Sequence, residues 1–238
     1  MRPFALSVVD SLSEIEHLDK SGEILTLNPE LLSLIARAGH RDYFSRFAHC
    51  TLDSAPLTTL LRIKGVKASR YTGVDLVADL LTNEGKGKRI LLYGAKPGVA
   101  QRVAEHFALE DYLALDGYSS KCEEVVKTCQ TQNFRPDVIL VALGGLMQFE
   151  ASSILQEKLS PRVTVACGGS FDVLSGDVER APKWMQNLGF EWAFRVAKQP
   201  ERVWRLPGVI KGLFLAKNMI GVEDCRRSIT FSIPSHEH

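Results

Sequence analysis

Pro136-Asp137-Val138-Ile139-Leu140-Val141-Ala142-Leu143-Gly144-Gly145 is the stretch on which the fold turns. Its apolar run is unbroken from Val138 to Leu143 and stops at two glycines. A strand with one wet face would alternate, so a continuous run implies burial on both faces, as in a parallel sheet covered by helices. The pattern repeats upstream. Arg89-Ile90-Leu91-Leu92-Tyr93-Gly94 reads as a parallel strand, Ala95-Lys96-Pro97-Gly98 as its turn and Val99 to Phe107 as the following helix. Leu113 to Tyr118 reads as another strand and turn, and Glu123 to Gln132 as a helix. Downstream, Glu150 to Leu159 is a helix and Val163 to Cys167 a buried strand. Strand, turn and helix in alternation predict an α/β fold, a Rossmann-like, mostly parallel sheet flanked by helices.

In such sheets ligands bind beyond the carboxyl ends of the strands. Tyr93-Gly94, Asp116-Gly117-Tyr118, Gly144 to Gln148 and Gly168 to Asp172 all fall there. Glycine admits a close approach of ligand to backbone, because no Cβ intervenes. The full GxGxxG fingerprint of dinucleotide sites is missing, which argues against a nicotinamide or flavin cofactor. A nucleotide-dependent oxidoreductase or epimerase is further disfavoured by the lack of a Tyr-x-x-x-Lys pair.

The net charge of +1 gives no field suited to nucleic acid, so any anionic partner must meet a local patch. Five cysteines, with no CxxC among them, read as reduced thiols, Cys167 as core. Met1 to Asp10 lacks the apolar core of a signal peptide, and no apolar run reaches the ~18 residues of a spanning helix. A soluble or peripheral protein is expected.

Residues 1–22 are mixed and polar, fitting a strand with a short helix or a loose arm. Glu23 to Leu27 reads as a strand, and Asn28-Pro29-Glu30 opens a helix whose stripe is Leu31, Leu32 and Ile35. Tyr43 to Leu61 is less regular. Asn28, Asp53-Ser54 and Asp75 each suit a helix N-cap and each could instead face a ligand. A helix is predicted from Asp75 onward.

After the strand ending at Cys167 comes Gly168-Gly169-Ser170-Phe171-Asp172, a loop to Gly176, and Arg180 before Ala181-Pro182. Arginine offers a planar fork for phosphate, so Arg180 is a candidate contact, or else fixes the turn. Beyond it Arg195, Lys198, Arg202 and Arg205 make a basic segment. Leu206 to Val222 reads as an apolar helix with Leu206, Ile210, Leu213 and Phe214 on one face, broken by Lys211 and Lys217. With Trp204, this helix suits an anionic membrane surface, or packing on the domain or another subunit. Residues 223–238 read as a polar tail. The expected division is an α/β catalytic domain over 1–194 and a basic amphipathic appendage over 195–238.

The run Gly168-Gly169-Ser-Phe-Asp172, Gly176, Arg180-Ala-Pro-Lys-Trp-Met-Gln-Asn-Leu-Gly189-Phe-Glu191-Trp192, Arg195, Pro200-Glu-Arg202 and Arg205 resembles the WecG/TagA/CpsF glycosyltransferase family. Thr26-Leu-Asn28, Arg70-Tyr-Thr-Gly73-Val-Asp75-Leu, Leu92-Tyr-Gly94-Ala-Lys-Pro-Gly98 and Asp116-Gly117-Tyr118 extend the likeness over about residues 23–215. Asp53-Ser54 and Asn187 to Trp192 are closer to the WecG-like branch, whose members transfer N-acetylmannosaminuronic acid. Two segments depart from the family, and one is Asp53-Ser54-Ala55-Pro56, which stands where members carry a glycine-rich or Ser-Ile-Ser-like turn at the catalytic aspartate. In the other, Gly144-Gly145-Leu146-Met147-Gln148-Phe149-Glu150 stands where members read Gly-x-Pro-Lys-Gln-Glu.

The resemblance implies inverting, metal-independent transfer of a sugar of the N-acetylmannosaminuronic acid, N-acetylmannosamine or glucose type. The donor is a UDP-sugar and the acceptor a polyprenyl-diphosphate-linked sugar, at the inner face of the bacterial cytoplasmic membrane, in cell-surface polysaccharide synthesis. No cofactor, metal or nucleic acid is expected, and the chain is compatible with a homo-oligomer. Asp53 becomes the leading candidate for the base. Asn28, Arg70, Gln148 and the loop of Gly168, Gly169 and Asp172 are expected to hold the donor. Thr26, Gly73, Tyr93, Gly94, Gly117, Tyr118 and Gly144 are expected around them. Arg195, Arg202 and Arg205 are expected at the diphosphates. The rival within the family is a weakened member that binds UDP-sugar or lipid and supports an assembly complex.

Overall fold

The structure, a computed structural model, describes residues 4–16, 22–36, 47–222 and 228–231. The chain divides into two compact units. The first comprises Met1–Asp10, Leu27–Tyr71 and Glu179–His238, and the second Ser11–Thr26 and Thr72–Val178.

The second unit realises the alternating pattern. Its strands are β2 (Gly22–Leu27, the last residue belonging to the first unit), β4 (Arg89–Gly94), β5 (Asp111–Leu115), β6 (Val138–Ala142) and β7 (Val163–Ala166). They lie in the order β5-β4-β6-β7-β2, and every described pairing among them is parallel. The register sets Ile90 opposite Val138 and Leu91 opposite Ile139, so side chains alternate between the two faces. On one face Leu91, Tyr93, Ile139 and Val141 pack with Val125 and Cys129 of α6 (Cys122–Thr131) and with Ala151 and Leu155 of α7 (Met147–Leu159). The mostly parallel α/β sheet read from the sequence is therefore present.

The helices of this unit begin where local chemistry allows. Helix α4 (Gly73–Glu84) starts two residues before Asp75, contrary to the sequence reading, because Thr72 is its cap. The Thr72 hydroxyl accepts from the Asp75 N–H at 3.1 Å and donates to its carboxylate at 2.6 Å. Helix α7 likewise begins at Met147 rather than Glu150, which places Gln148 in its first turn. Helix α5 (Val99–His106) follows the glycine-bounded turn as expected, and α8 (Ser170–Leu174) replaces part of the loop read between Gly168 and Gly176.

The first unit joins distant pieces of chain. Strand β1 (Phe4–Val8) runs parallel to β3 (His49–Leu52) and antiparallel to β9 (Ser228–Phe231), which pairs antiparallel with β8 (Ile220–Val222). Residues 228–231 are thus a strand and not part of a polar tail. The apolar helix α11 (Leu206–Met219) correspondingly stops before Ile220. Helix α2 (Pro29–Ile35) is capped by Asn28, and α3 (Ala55–Ile63) by Ser54. Helices α9 (Lys183–Asn187) and α10 (Glu191–Lys198) and a short 3-10 helix (Pro200–Arg205) lead into α11. The residual part of the N-terminal reading is met by β1 and by α1 (Leu12–Glu16).

Candidate active site

Strand β3 delivers Asp53 one residue past its end. The peptide is held from both sides. Its N–H donates to the Leu27 carbonyl at 2.9 Å, and its carbonyl accepts from the Arg70 Nε at 3.4 Å. Ser54 supplies the N-cap of α3, accepting from Leu57 N–H at 3.3 Å. The capping duty therefore falls on Ser54, and Asp53 lines a cavity of about 200 Å³ within the first unit. Asn28, Arg70, Glu191, Arg195 and Arg205 line it too. Trp192, Val196 and Val209 give it an apolar side.

Asn28 combines two of its readings. Its side-chain oxygen accepts from Leu31 N–H at 2.9 Å, fixing the start of α2, while the residue also lines the cavity. Arg70 is committed to protein partners. It donates to the carbonyls of Asp53 and Gln186, the latter at 2.9 Å, and pairs with the Glu191 carboxylate. Glu191 also accepts from Arg195 at 2.7 Å. Burial pushes the Glu191 carboxyl up, but Arg195 and Arg70 outweigh it and hold the group below its ordinary range. Arg205 approaches Glu30 at 3.6 Å on an exposed surface, a contact worth little. Arg180 is half-buried in the turn before α9 and is not among the cavity's lining residues. The side chain of Arg202 lies outside the described residues.

Glu191 and Trp192 stood in the sequence stretch without a role. The signal for Glu191 was its spacing of four from Arg195, which on a helix makes the two neighbours. Its pairing with Arg70 crosses 121 positions and left no trace in local sequence.

The candidates of the second unit gather at the carboxyl ends of its strands, but for different reasons. Several glycines there are packing positions. A Cβ on Gly94, which has φ +127°, would stand 2.4 Å from the Ala142 carbonyl oxygen, and one on Gly117 would stand 2.4 Å from Leu143. A Cβ on Gly73 would meet Ser170 and Thr26 at 3.0 and 3.1 Å. Thr26 donates to the Ala166 carbonyl at 3.0 Å, and Tyr93 to that of Ser120 at 2.8 Å. Burial raises the Tyr93 phenol to about 12, so it stays neutral at physiological pH. Gly144 and Gly145 instead face open space, and Tyr118 is 76% exposed. Gln148 accepts from Gly168 N–H at 3.0 Å, and Gly168 has φ +56°. Asp172 is half-buried beside Gly169. Among the described residues no group of three or more His, Cys, Asp or Glu side chains is arranged to hold a metal ion.

The profile of the "Glycosyl transferase WecG/TagA/CpsF family" matches residues 4–220, nearly the whole chain. The chain belongs to the WecG/TagA/CpsF family. A relative from Bacillus subtilis (strain 168), an N-acetylglucosaminyldiphosphoundecaprenol N-acetyl-beta-D-mannosaminyltransferase, is 32% identical over 86% of this chain and 83% of its own. Among solved structures, allantoin racemase from Klebsiella pneumoniae aligns with 72% of this chain and 90% of that one at 13% identity. Its TM-score of 0.30 is too low to bear on fold or function. Membership makes this WecG/TagA/CpsF chain a glycosyltransferase. Among the described residues no helix is long and apolar enough to cross a membrane.

Proposed function

We propose that this chain transfers a sugar of the N-acetylmannosamine class from a UDP-sugar to a polyprenyl-diphosphate-linked sugar, with inversion, and that Asp53 is the base. The observation that carries this reading is the shared cavity. A carboxylate at a strand end faces the same ~200 Å³ space as Asn28, Arg195 and Arg205. In the step, Asp53 takes the proton of the acceptor hydroxyl as its oxygen bonds to the anomeric carbon. The bond from that carbon to the UDP oxygen breaks, and UDP leaves with the electron pair. Arg195 and Arg205 supply positive charge for a diphosphate. The name of the Bacillus subtilis relative supports the sugar class and the lipid acceptor.

In the second unit, the open backbone at Gly144 and Gly145 suits close approach of a nucleotide, and exposed Tyr118 offers a ring to stack on uracil. Thr26, Gly73, Tyr93, Gly94 and Gly117 support that edge by packing and hydrogen bonding. The membrane face would be met by α11 and its approach, where Trp204, Ile210 and Phe214 are 85%, 68% and 66% exposed between lysines. Localisation at the inner face of the cytoplasmic membrane belongs to the same proposal.

Asp53→Asn tests it. Transfer to a synthetic polyprenyl-diphosphate sugar should fall by about 10²–10⁴-fold while UDP binding measured by calorimetry persists. Near-normal turnover in that variant would remove Asp53 from the role.

A further inference from the structure

Glu191 is 8% exposed and opens α10 with both carboxylate oxygens engaged by different arginines, one oxygen by Arg70 and the other by Arg195 at 2.7 Å. We propose that Glu191 is a positioning residue for glycosyl transfer, clamping Arg70 so that the Asp53 peptide is fixed and orienting Arg195 on the cavity wall. The inference rests on the reading of Asp53 as base.

The clamp follows from where the Arg70 donors go. Nε reaches the Asp53 carbonyl at 3.4 Å, Nη1 the Gln186 carbonyl at 2.9 Å, and Nη2 the Glu191 carboxylate. One planar guanidinium thereby ties together the end of β3, the end of α9 and the start of α10. Its fork geometry makes that tie directional, which a lysine could not do. Neighbouring backbone strengthens it, since Tyr71 N–H donates to the Leu52 carbonyl at 3.1 Å and lays residues 70–71 beside β3. Asp53 then has its N–H fixed by Leu27 and its carbonyl by Arg70, so its Cα has little freedom and its side chain meets the cavity from a set origin.

Glu191 gives the two arginines different tasks. Arg70, with its side chain 20% exposed, is drawn into protein contacts. Arg195, 31% exposed, is held by one nitrogen on the cavity lining. A neutral residue at 191 would leave Arg70 a partly buried cation without its counter-charge, and would leave Arg195 free to change rotamer. A base displaced by about 1 Å loses on the order of 100-fold in rate, because the reacting geometry and not binding is disturbed.

The test uses the full chain and reads kcat, KM for donor and acceptor, and Tm. Glu191→Gln should lower kcat about 100-fold with donor KM within about threefold, and Glu191→Asp, which keeps the charge, should regain at least about tenfold. A plain fold-stabilising ion pair would instead make kcat losses track lost Tm. Should Glu191→Gln fail to fold, the double variant Arg70→Met/Glu191→Met removes both charges together and keeps apolar volume. It should melt near wild type and still lose about 100-fold in kcat. Wild-type kcat in the folded double variant, or in Glu191→Gln, overturns the proposal. Asp53→Asn run in parallel separates the two readings. If it stays active, the base reading falls and the clamp with it. If it is inactive while the double variant is active, the clamp alone falls.

Discussion

Two glycines one turn apart on α11 should respond in opposite directions to the same added methyl group. Both face α2. A Cβ on Gly212 would lie 1.6 Å from the Pro29 carbonyl oxygen and 2.3 Å from its carbon. That is roughly 2 Å short of ordinary packing separation, and the obstacle is backbone, which cannot rotate aside. A Cβ on Gly208 would meet Ser33 Oγ at 3.5 Å and Glu30 Cγ at 3.8 Å, ordinary packing distances. Gly212→Ala must therefore separate the two helices. The helix-propensity gain of about 1 kcal/mol is overrun by about 1–3 kcal/mol or more of overpacking and by the weakened dispersion attraction between the parted helices. Gly208→Ala keeps the propensity gain of about 0.5–1 kcal/mol. In urea unfolding followed by circular dichroism, Gly212→Ala should lower the midpoint by roughly 0.5–1 M and Gly208→Ala should raise it slightly. Because α2 begins at Asn28-Pro29-Glu30 on the cavity wall, Gly212→Ala should also raise an acceptor or donor KM. Equal midpoints for the two variants would refute the close-approach reasoning.

Asn28→Ser preserves the cap of α2 and should melt near wild type, whereas Asn28→Ala should lose about 1 kcal/mol; a fall in kcat/KM shared by both would isolate the ligand-facing duty from the cap. The Glu191 carboxyl is depressed in the folded protein, so its contribution to stability is full above the unfolded carboxylate pKa and is lost as pH falls through the lower folded value. Tm measured between about pH 6 and 3 should therefore drop more steeply for wild type than for Glu191→Gln. Ile210→Glu/Phe214→Glu places charge on an exposed apolar face and should reduce sedimentation with anionic vesicles severalfold without lowering Tm; unchanged sedimentation would remove α11 from membrane contact.

The second unit was legible because its physics is local. Val138 to Ala142 is buried on both faces, and that condition alone forces a continuous apolar run. The glycines ending its strands stood out for the same kind of reason, since φ values such as +127° at Gly94 exclude side chains. Boundaries moved where two local signals competed. Thr72, not Asp75, starts α4, because the hydroxyl can exchange bonds with residue 75 in both directions.

The sequence by itself determined the parallel α/β layout, the presence of Asp53, Asn28 and the arginines, and through its motifs the family. The tertiary structure decided what those residues do for one another. Ser228–Phe231 is a strand only because β1 and β8 offer it backbone partners, and composition carries no record of such pairing. Arg70, read from sequence as a ligand contact, lines the cavity and is also tied to Glu191, which folding brings to it across 121 positions. Burial, apolar period and φ are written residue by residue, but a guanidinium's partner is set by geometry between segments, and it is that geometry which leaves Asp53 facing the cavity.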